Sequence, residues 1–483
     1  MHGTPESAPA STAGELGLRE VTASTIANVG PGIDFYFAFG AIAVTAGIAS
    51  PLTMIAAGLA VSLLAFVVAE FTRLEPSAAS FVSYVESAFG PRAGEVTALL
   101  TATAVTVAIA GVFTMAGGMI SMTLGHYASW EPSWLPIAIV MTVAAVALTL
   151  RGASLSTVAV GIALVLQVGV MVAVSIAALT AGGTHLSAGP FQWSHLHDGL
   201  AGLSAGFPLA LYMLIGWENG PALAEETREP AKTIPRALYI SIAASTLLFV
   251  LFSYATVAGF HYDVSSVGRA SVPFLELAGR YGHSWALLAW LAGIVSVLAT
   301  LVAAVNAQAR ILLGAARRGL LPSILGRSRA PGETPANAIF AMTLLGLAIV
   351  VVWWLCHETG LTAGPPAPVS LYAETGTMGT ILLLFVYVLT AVSLPVFIRR
   401  RHRASFSLLR HVAVPALGVL SLVVPFVELF QPGQPVPYSI FPYLSILALA
   451  AAALYAWWRR AGGQGSRGAA AQAATGRAVD SPR

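Results

Sequence analysis

Along most of this chain apolar residues follow one another in long runs, punctuated by short clusters of glycine, proline and charge, instead of alternating with polar ones. A hydrocarbon core about 30 Å thick is crossed by about 20 apolar residues in a helix, so each run predicts one membrane-spanning helix. Twelve are predicted, over roughly residues 23–48, 52–72, 94–124, 134–150, 154–181, 198–222, 233–260, 284–316, 337–356, 369–397, 411–430 and 438–458. The fold class that follows is an all-α membrane protein, and an even number of spans puts both termini on one side.

Two of these runs are interrupted in their interior, the first by Gly30-Pro31-Gly32 and the sixth by Gly216-Trp217-Glu218-Asn219-Gly220-Pro221. Non-helical backbone at membrane depth persists only where protein or a wet cavity satisfies its N–H and C=O groups. Breaks five helices apart, in similar positions of two halves, therefore predict a binding site between two inverted repeats: five helices, five more, and two C-terminal helices. The competing reading is that glycine and proline are common in membrane helices and kink them without consequence.

Composition strengthens the membrane assignment. Hydrophobic residues make up 57% of the 483 and charged residues 9%, against about 25% charged in an ordinary soluble domain. With twelve spans, Arg269 and Arg280 fall on one side, and every other lysine and arginine falls on the other. Cytoplasmic loops retain lysine and arginine, so that basic side is predicted to be cytoplasmic, with both termini inside a bacterial-type cytoplasmic membrane. The net charge of +3 is spread without aromatic interleaving, and nucleic acid is not an expected partner. The lipid bilayer is.

Other chemistry is thinly represented. Cys356 is the one cysteine and is read as packing. Seven of the ten histidines, His126, His185, His195, His197, His261, His283 and His357, lie at predicted helix ends or in outside loops, without zinc-site spacing. The single lysine, Lys232, follows Ala231, so no phosphate-binding loop of the G-x-x-x-x-G-K type exists. No H-E-x-x-H pattern occurs, and neither an intramembrane enzyme nor a cofactor is expected. Asp34 sits inside the first span, where a charge costs about 2.5–3.5 kcal/mol on insertion scales, so it should face a cavity or a partner. A ligand ammonium is one such partner; the alternative is a structural role as cap of the broken half-helix.

Ile215-Gly216-Trp217-Glu218, followed by Ala224-Glu225-Glu226-Thr227-Arg228-Glu229-Pro230 and Ile234-Pro235-Arg236-Ala237, resembles the sixth helix and following loop of the amino acid, polyamine and organocation (APC) transporter superfamily. Ala88-Phe89-Gly90-Pro91-Arg92, Leu150-Arg151-Gly152 and the stretch from Asn306 through Arg310 to Gly319-Leu320-Leu321-Pro322 add to the resemblance, which covers about residues 23–400. That resemblance implies a LeuT-like core over 23–400; the apolar runs add two further helices over 401–460, and composition predicts disordered cytoplasmic ends over 1–22 and 461–483. Residues 1–21 lack the basic start and apolar centre of a cleaved signal peptide.

It also implies a secondary transporter, a symporter or antiporter, moving an amino acid by alternating access, with a polyamine or other organic amine as the alternative substrate. A non-transporting sensor would keep the same fold. The family's first-helix motif is altered here to Gly30-Pro31-Gly32-Ile33-Asp34. In family members that take amino acids, backbone N–H groups of this segment hold the carboxylate and carbonyls of helices 1 and 6 meet the ammonium. Pro31 has no N–H, leaving Gly32 and Ile33 to donate. The implied substrate-binding set is Val29, Gly30, Pro31, Gly32, Ile33, Asp34, Tyr212, Ile215, Gly216 and Trp217. Tyr212 occupies the place of an aromatic gate, and Glu218 that of a glutamate that takes a proton or ties the half-helix down. Gln167 aligns with a position where some proton-linked relatives carry lysine, and its neutral amide leaves the coupling ion open between proton and sodium.

Overall fold

The computed structural model describes residues 14, 16–151, 153–327, 334–360, 367–434 and 436–476. Among them, ten helical stretches are long and apolar enough to cross a membrane. The first, Leu18–Leu74, is a run of 57 residues that holds the first two predicted spans, and Trp134–Leu150 is a shorter apolar helix. The chain is thus a multi-pass membrane protein.

The helices used below are α1 (Leu18–Val29), α2 (Pro31–Ala46), α3 (Ser50–Leu74), α4 (Phe81–Phe89), α5 (Pro91–Ala128), α6 (Trp134–Leu150), α7 (Ala153–Thr180), α8 (Leu200–Tyr212), α9 (Pro230–Gly259), α10 (Val264–Arg269), α11 (Pro273–Arg280), α12 (His283–Arg317), α13 (Ala336–Glu358), α14 (Pro368–Arg401), α15 (Val414–Leu429) and α16 (Phe441–Gly476). Proline opens α2, α5, α9, α11 and α14, where its missing N–H is no loss because the first turn has no intrahelical acceptor.

Long α5 and α12 form the inner framework, with α14 and α6 on α5, α7 and α1 on α12, and α3 against α9 and α8. Small residues set the approach. A side chain on Gly117 would strike the Trp134 carbonyl, and one on Gly111 would strike the Thr375 hydroxyl. In lipid, where apolar burial drives helices together weakly, such close backbone approach supplies the dispersion contacts.

Two features depart from the sequence reading. The short helix α4, buried at Phe81, Val82, Tyr84 and Val85, fills what looked like a connecting loop. Residues 16–22, predicted as part of a disordered end, are ordered: Leu16 donates its N–H to Glu226 and accepts from Arg228, both at 2.9 Å. Leu16 and Val21 bury themselves against Leu223 and Ala237.

The arginine-rich side is closed by ion pairs. Arg318 bonds Glu86 at 2.8 Å and lies 3.8 Å from Glu75, Arg401 reaches Glu75 at 3.4 Å, and Arg459 meets buried Glu95 at 2.5 Å. Deeper in, Arg310 bonds Glu226 at 2.8 Å, with both side chains buried.

Candidate functional site

The first break is one residue wide. Gly30 adopts φ 68°, ψ 53°, a left-handed conformation that glycine takes without steric cost. Its N–H still bonds Ile26 at 3.2 Å and its C=O still accepts from Asp34 at 3.0 Å. The helix axis is redirected with little of the backbone freed. The second break is wider: α8 ends at Tyr212, Met213–Gly216 form turns, and a tighter 3₁₀ helix runs over Trp217–Leu223. Gly216 stands at φ 109°. Its N–H donates to Glu218 Oε2 at 2.9 Å, so Glu218 holds the break closed from within.

The two breaks touch, since a Cβ on Gly216 would lie 2.5 Å from the Asn28 carbonyl oxygen. Helix α12 supplies the polar wall. Ser296 Oγ accepts the Ile33 N–H at 2.9 Å, Thr300 donates to the Ala27 carbonyl at 3.2 Å, and Asn28 Nδ2 donates to the Ala303 carbonyl at 3.4 Å. Sequence reasoning left Gly32 and Ile33 as free donors. The Ile33 N–H is in fact spent on Ser296, so Gly32 is the donor that remains beside Pro31. Gln167, fully buried, reaches the same point: a Cβ on Gly32 would come within 2.5 Å of Ser296 Oγ and 2.9 Å of Gln167 Oε1. Both amide atoms of Gln167 lack a hydrogen-bond partner among the described residues. A buried amide left this way is rare in native structures.

Because Gly32 fits so tightly, Gly32→Ala is expected to part α2 from α12, with an overpacking cost of about 1–3 kcal/mol, and to abolish ligand-induced stabilisation. Ser296→Gly in the same chain should restore part of both. Thermal unfolding of the single and double variants with and without ligand checks this.

One turn outward from the break, Asp34 is 7% exposed and accepts the hydroxyl of Tyr372 on α14. No side chain caps α2, so the carboxylate is turned across the bundle, away from its own helix start. The Tyr372 ring lies 6.0 Å from that of Tyr212 and 6.3 Å from that of Phe37, both edge-on. Tyr212 packs its phenol against Gly376, where a Cβ would come within 2.6 Å. Asp34 and Tyr212, both singled out in the sequence, therefore belong to one cluster.

Trp217 does not join it. Its ring turns to Tyr387, 5.8 Å away, and lines a small cavity with Leu64, Val67, Val68, Phe81 and Thr390. Val29 and Ile33 are buried beside the break, and Ile215 is half-buried with its N–H on the Tyr212 carbonyl at 2.9 Å. Tyr372, Ser296 and Thr300 were missed in the sequence. Gly202-Leu203-Ser204-Ala205-Gly206 has the spacing of a serine-hydrolase elbow. It lies inside α8 instead of at a strand-to-helix turn, and Ser204 is bonded to the Ala201 carbonyl and to Glu428, both at 2.9 Å.

A family model described as amino acid permease matches residues 16–452, nearly the whole chain. The chain belongs to the amino acid permease family. An uncharacterized amino acid permease of Bacillus subtilis is 25% identical over 58% of this chain and 64% of its own length. A branched-chain amino acid permease of the same organism is 25% identical over 42% of this chain and 40% of its own. A D-serine/D-alanine/glycine transporter of Escherichia coli is 26% identical over 42% of this chain and 41% of its own. In each case the chain spans less than two thirds of the relative's length.

Proposed function

We propose that this protein is a secondary transporter that carries an amino acid across the cytoplasmic membrane by alternating access. The carrying observation is the meeting of two broken helices, Gly216 against Asn28, with Gly30 seated on Thr300 of α12, beside a buried carboxylate in an aromatic cluster. Broken helices put backbone N–H and C=O groups at mid-membrane, where they match the charged ends of a zwitterion. In this reading the chain crosses the membrane twelve times, with α1–α2 and α8 through Leu223 in corresponding places of two five-helix repeats. Both termini lie in the cytoplasm, and two C-terminal helices follow the core. The names of the relatives, all amino acid permeases or transporters, support the substrate class.

Substrate occupies the space around Val29–Asp34, Tyr212, Ile215 and Gly216. Trp217 and Glu218 act on the inner side of the break, where Glu218 secures Gly216. Gln167, unpaired beside Gly32 and Ser296, is where a proton or sodium gradient, or exchange, would be felt.

A second reading, transport of an amine without a carboxylate, is favoured by the loss of donors at Pro31 and Ile33. Thermal unfolding of the purified protein across a panel of zwitterionic L-amino acids and carboxylate-free amines separates the two. Ligand at about 100 times its dissociation constant adds about 2.7 kcal/mol. Stabilisation by amino acids supports the main reading, and stabilisation by amines alone overturns it.

A further inference from the structure

We infer that the transported amino acid carries a cation at the end of its side chain, and that Asp34, framed by Tyr372 and Tyr212, is the counter-ion for it. This rests on the amino acid reading above and specifies its substrate. Five carboxylates are buried in the described structure: Asp34, Glu70, Glu95, Glu218 and Glu226. Glu70 is met by Arg73 at 2.5 Å and Arg410 at 3.2 Å, Glu95 by Arg459 at 2.5 Å, and Glu226 by Arg310 at 2.8 Å. Glu218 is spent on the Gly216 N–H. Asp34 alone has neither a cation nor a backbone N–H among the described residues, only the neutral hydroxyl of Tyr372. Three of the other four buried carboxylates are met by arginine and the fourth takes a backbone N–H; a buried carboxylate is held by a cation or by hydrogen bonds, so the cation that Asp34 lacks is assigned to the cargo.

Position gives the length of that cargo. Asp34 lies four residues beyond Gly30 on the same helix, about 6 Å along its axis at about 1.5 Å per residue. The four-carbon stem of lysine covers a comparable distance between Cα and ammonium. An amino acid with its backbone at the break thus presents a terminal ammonium to Asp34. The rings of Tyr212 and Phe37 lie edge-on to that of Tyr372, whose hydroxyl the carboxylate accepts, and aromatic faces attract cations. The Gly376 contact holds the Tyr212 phenol in place across the gap between α8 and α14. The Tyr372 hydroxyl, which the carboxylate accepts, yields its place to the ammonium.

The test compares equilibrium binding of L-lysine, its uncharged analogue L-norleucine, and its decarboxylated analogue cadaverine to the purified full chain, wild type and variants. Lysine is expected to bind wild type about 30-fold or more tightly than norleucine, the range for a buried charge pair. The ratio should collapse to about 1 in Asp34→Asn and survive in part in Asp34→Glu, which keeps the charge. Glu374→Gln, on the same helix as Tyr372 but bonded to Trp353, should leave it unchanged. Norleucine binding as tightly as lysine overturns the counter-ion assignment and leaves the amino acid reading standing. Binding of cadaverine with neither amino acid overturns both. If Asp34→Asn does not fold, the wild-type ratio together with Asp34→Glu decides the matter.

Discussion

Arg310→Met is expected to destabilise the protein by about 3–5 kcal/mol, because it strands the Glu226 carboxylate in a buried site. Arg310 is 5% and Glu226 8% exposed. The guanidinium also donates to the Asn306 carbonyl at 2.7 Å and to the Asn306 side chain. The pair joins α12 to the loop that follows the second break, the same loop to which Leu16 is bonded. Removing one partner forfeits the attraction and keeps the desolvation penalty. Replacing both, as in Glu226→Leu with Arg310→Met, removes that penalty and should recover most of the stability. Unfolding of the two single variants and the double variant in detergent measures the coupling directly. A single variant that loses less than about 1 kcal/mol would show that water reaches the pair, as it does exposed ones.

Gly216→Ala is expected to be nearly as damaging and more specific to function. At φ 109° an L side chain costs about 1–2 kcal/mol from sterics alone. The new methyl would also meet the Asn28 carbonyl oxygen at 2.5 Å and the Val29 nitrogen at 2.9 Å. Both are backbone atoms, which cannot swing aside as a side chain can. The two breaks would be pried apart, and on the proposed reading the substrate site would be lost with the contact. A lowered melting temperature with no response to any ligand is the expected result. Ordinary stability with intact ligand response would mean that the breaks do not form a common site.

The long helices were legible because bilayer thickness leaves a strong imprint on sequence, and both breaks were legible because glycine and proline interrupt that imprint. What the run pattern does not carry is the handling of short polar segments. Helix α4 is only 9 residues long and reads as a loop by length, although its alternate faces are buried. Residues 16–22 are held by backbone pairing to a loop more than 200 positions away, a contact with no local signature. At the site, Gly216 and Glu218 are two residues apart, and their bond follows from proximity. Asp34 and Tyr372 are 338 positions apart, so the sequence marked the acid as needing a partner without saying which. Ser296 was hidden for the same reason, and its capture of the Ile33 N–H altered the expected set of donors. Trp217 shows the opposite limit: one residue past the break, the turn of the 3₁₀ helix points its ring to Tyr387 instead of toward Asp34.

Flux through the purified protein in sealed proteoliposomes is the most direct measure of whether these features make a transporter. Vesicles preloaded with unlabelled L-lysine and diluted into labelled L-lysine should accumulate label transiently above equilibrium, and Gly216→Ala should abolish that accumulation. Saturable binding of the same ligand without any accumulation, under imposed proton and sodium gradients as well as under exchange, would contradict alternating access and leave a membrane-embedded sensor.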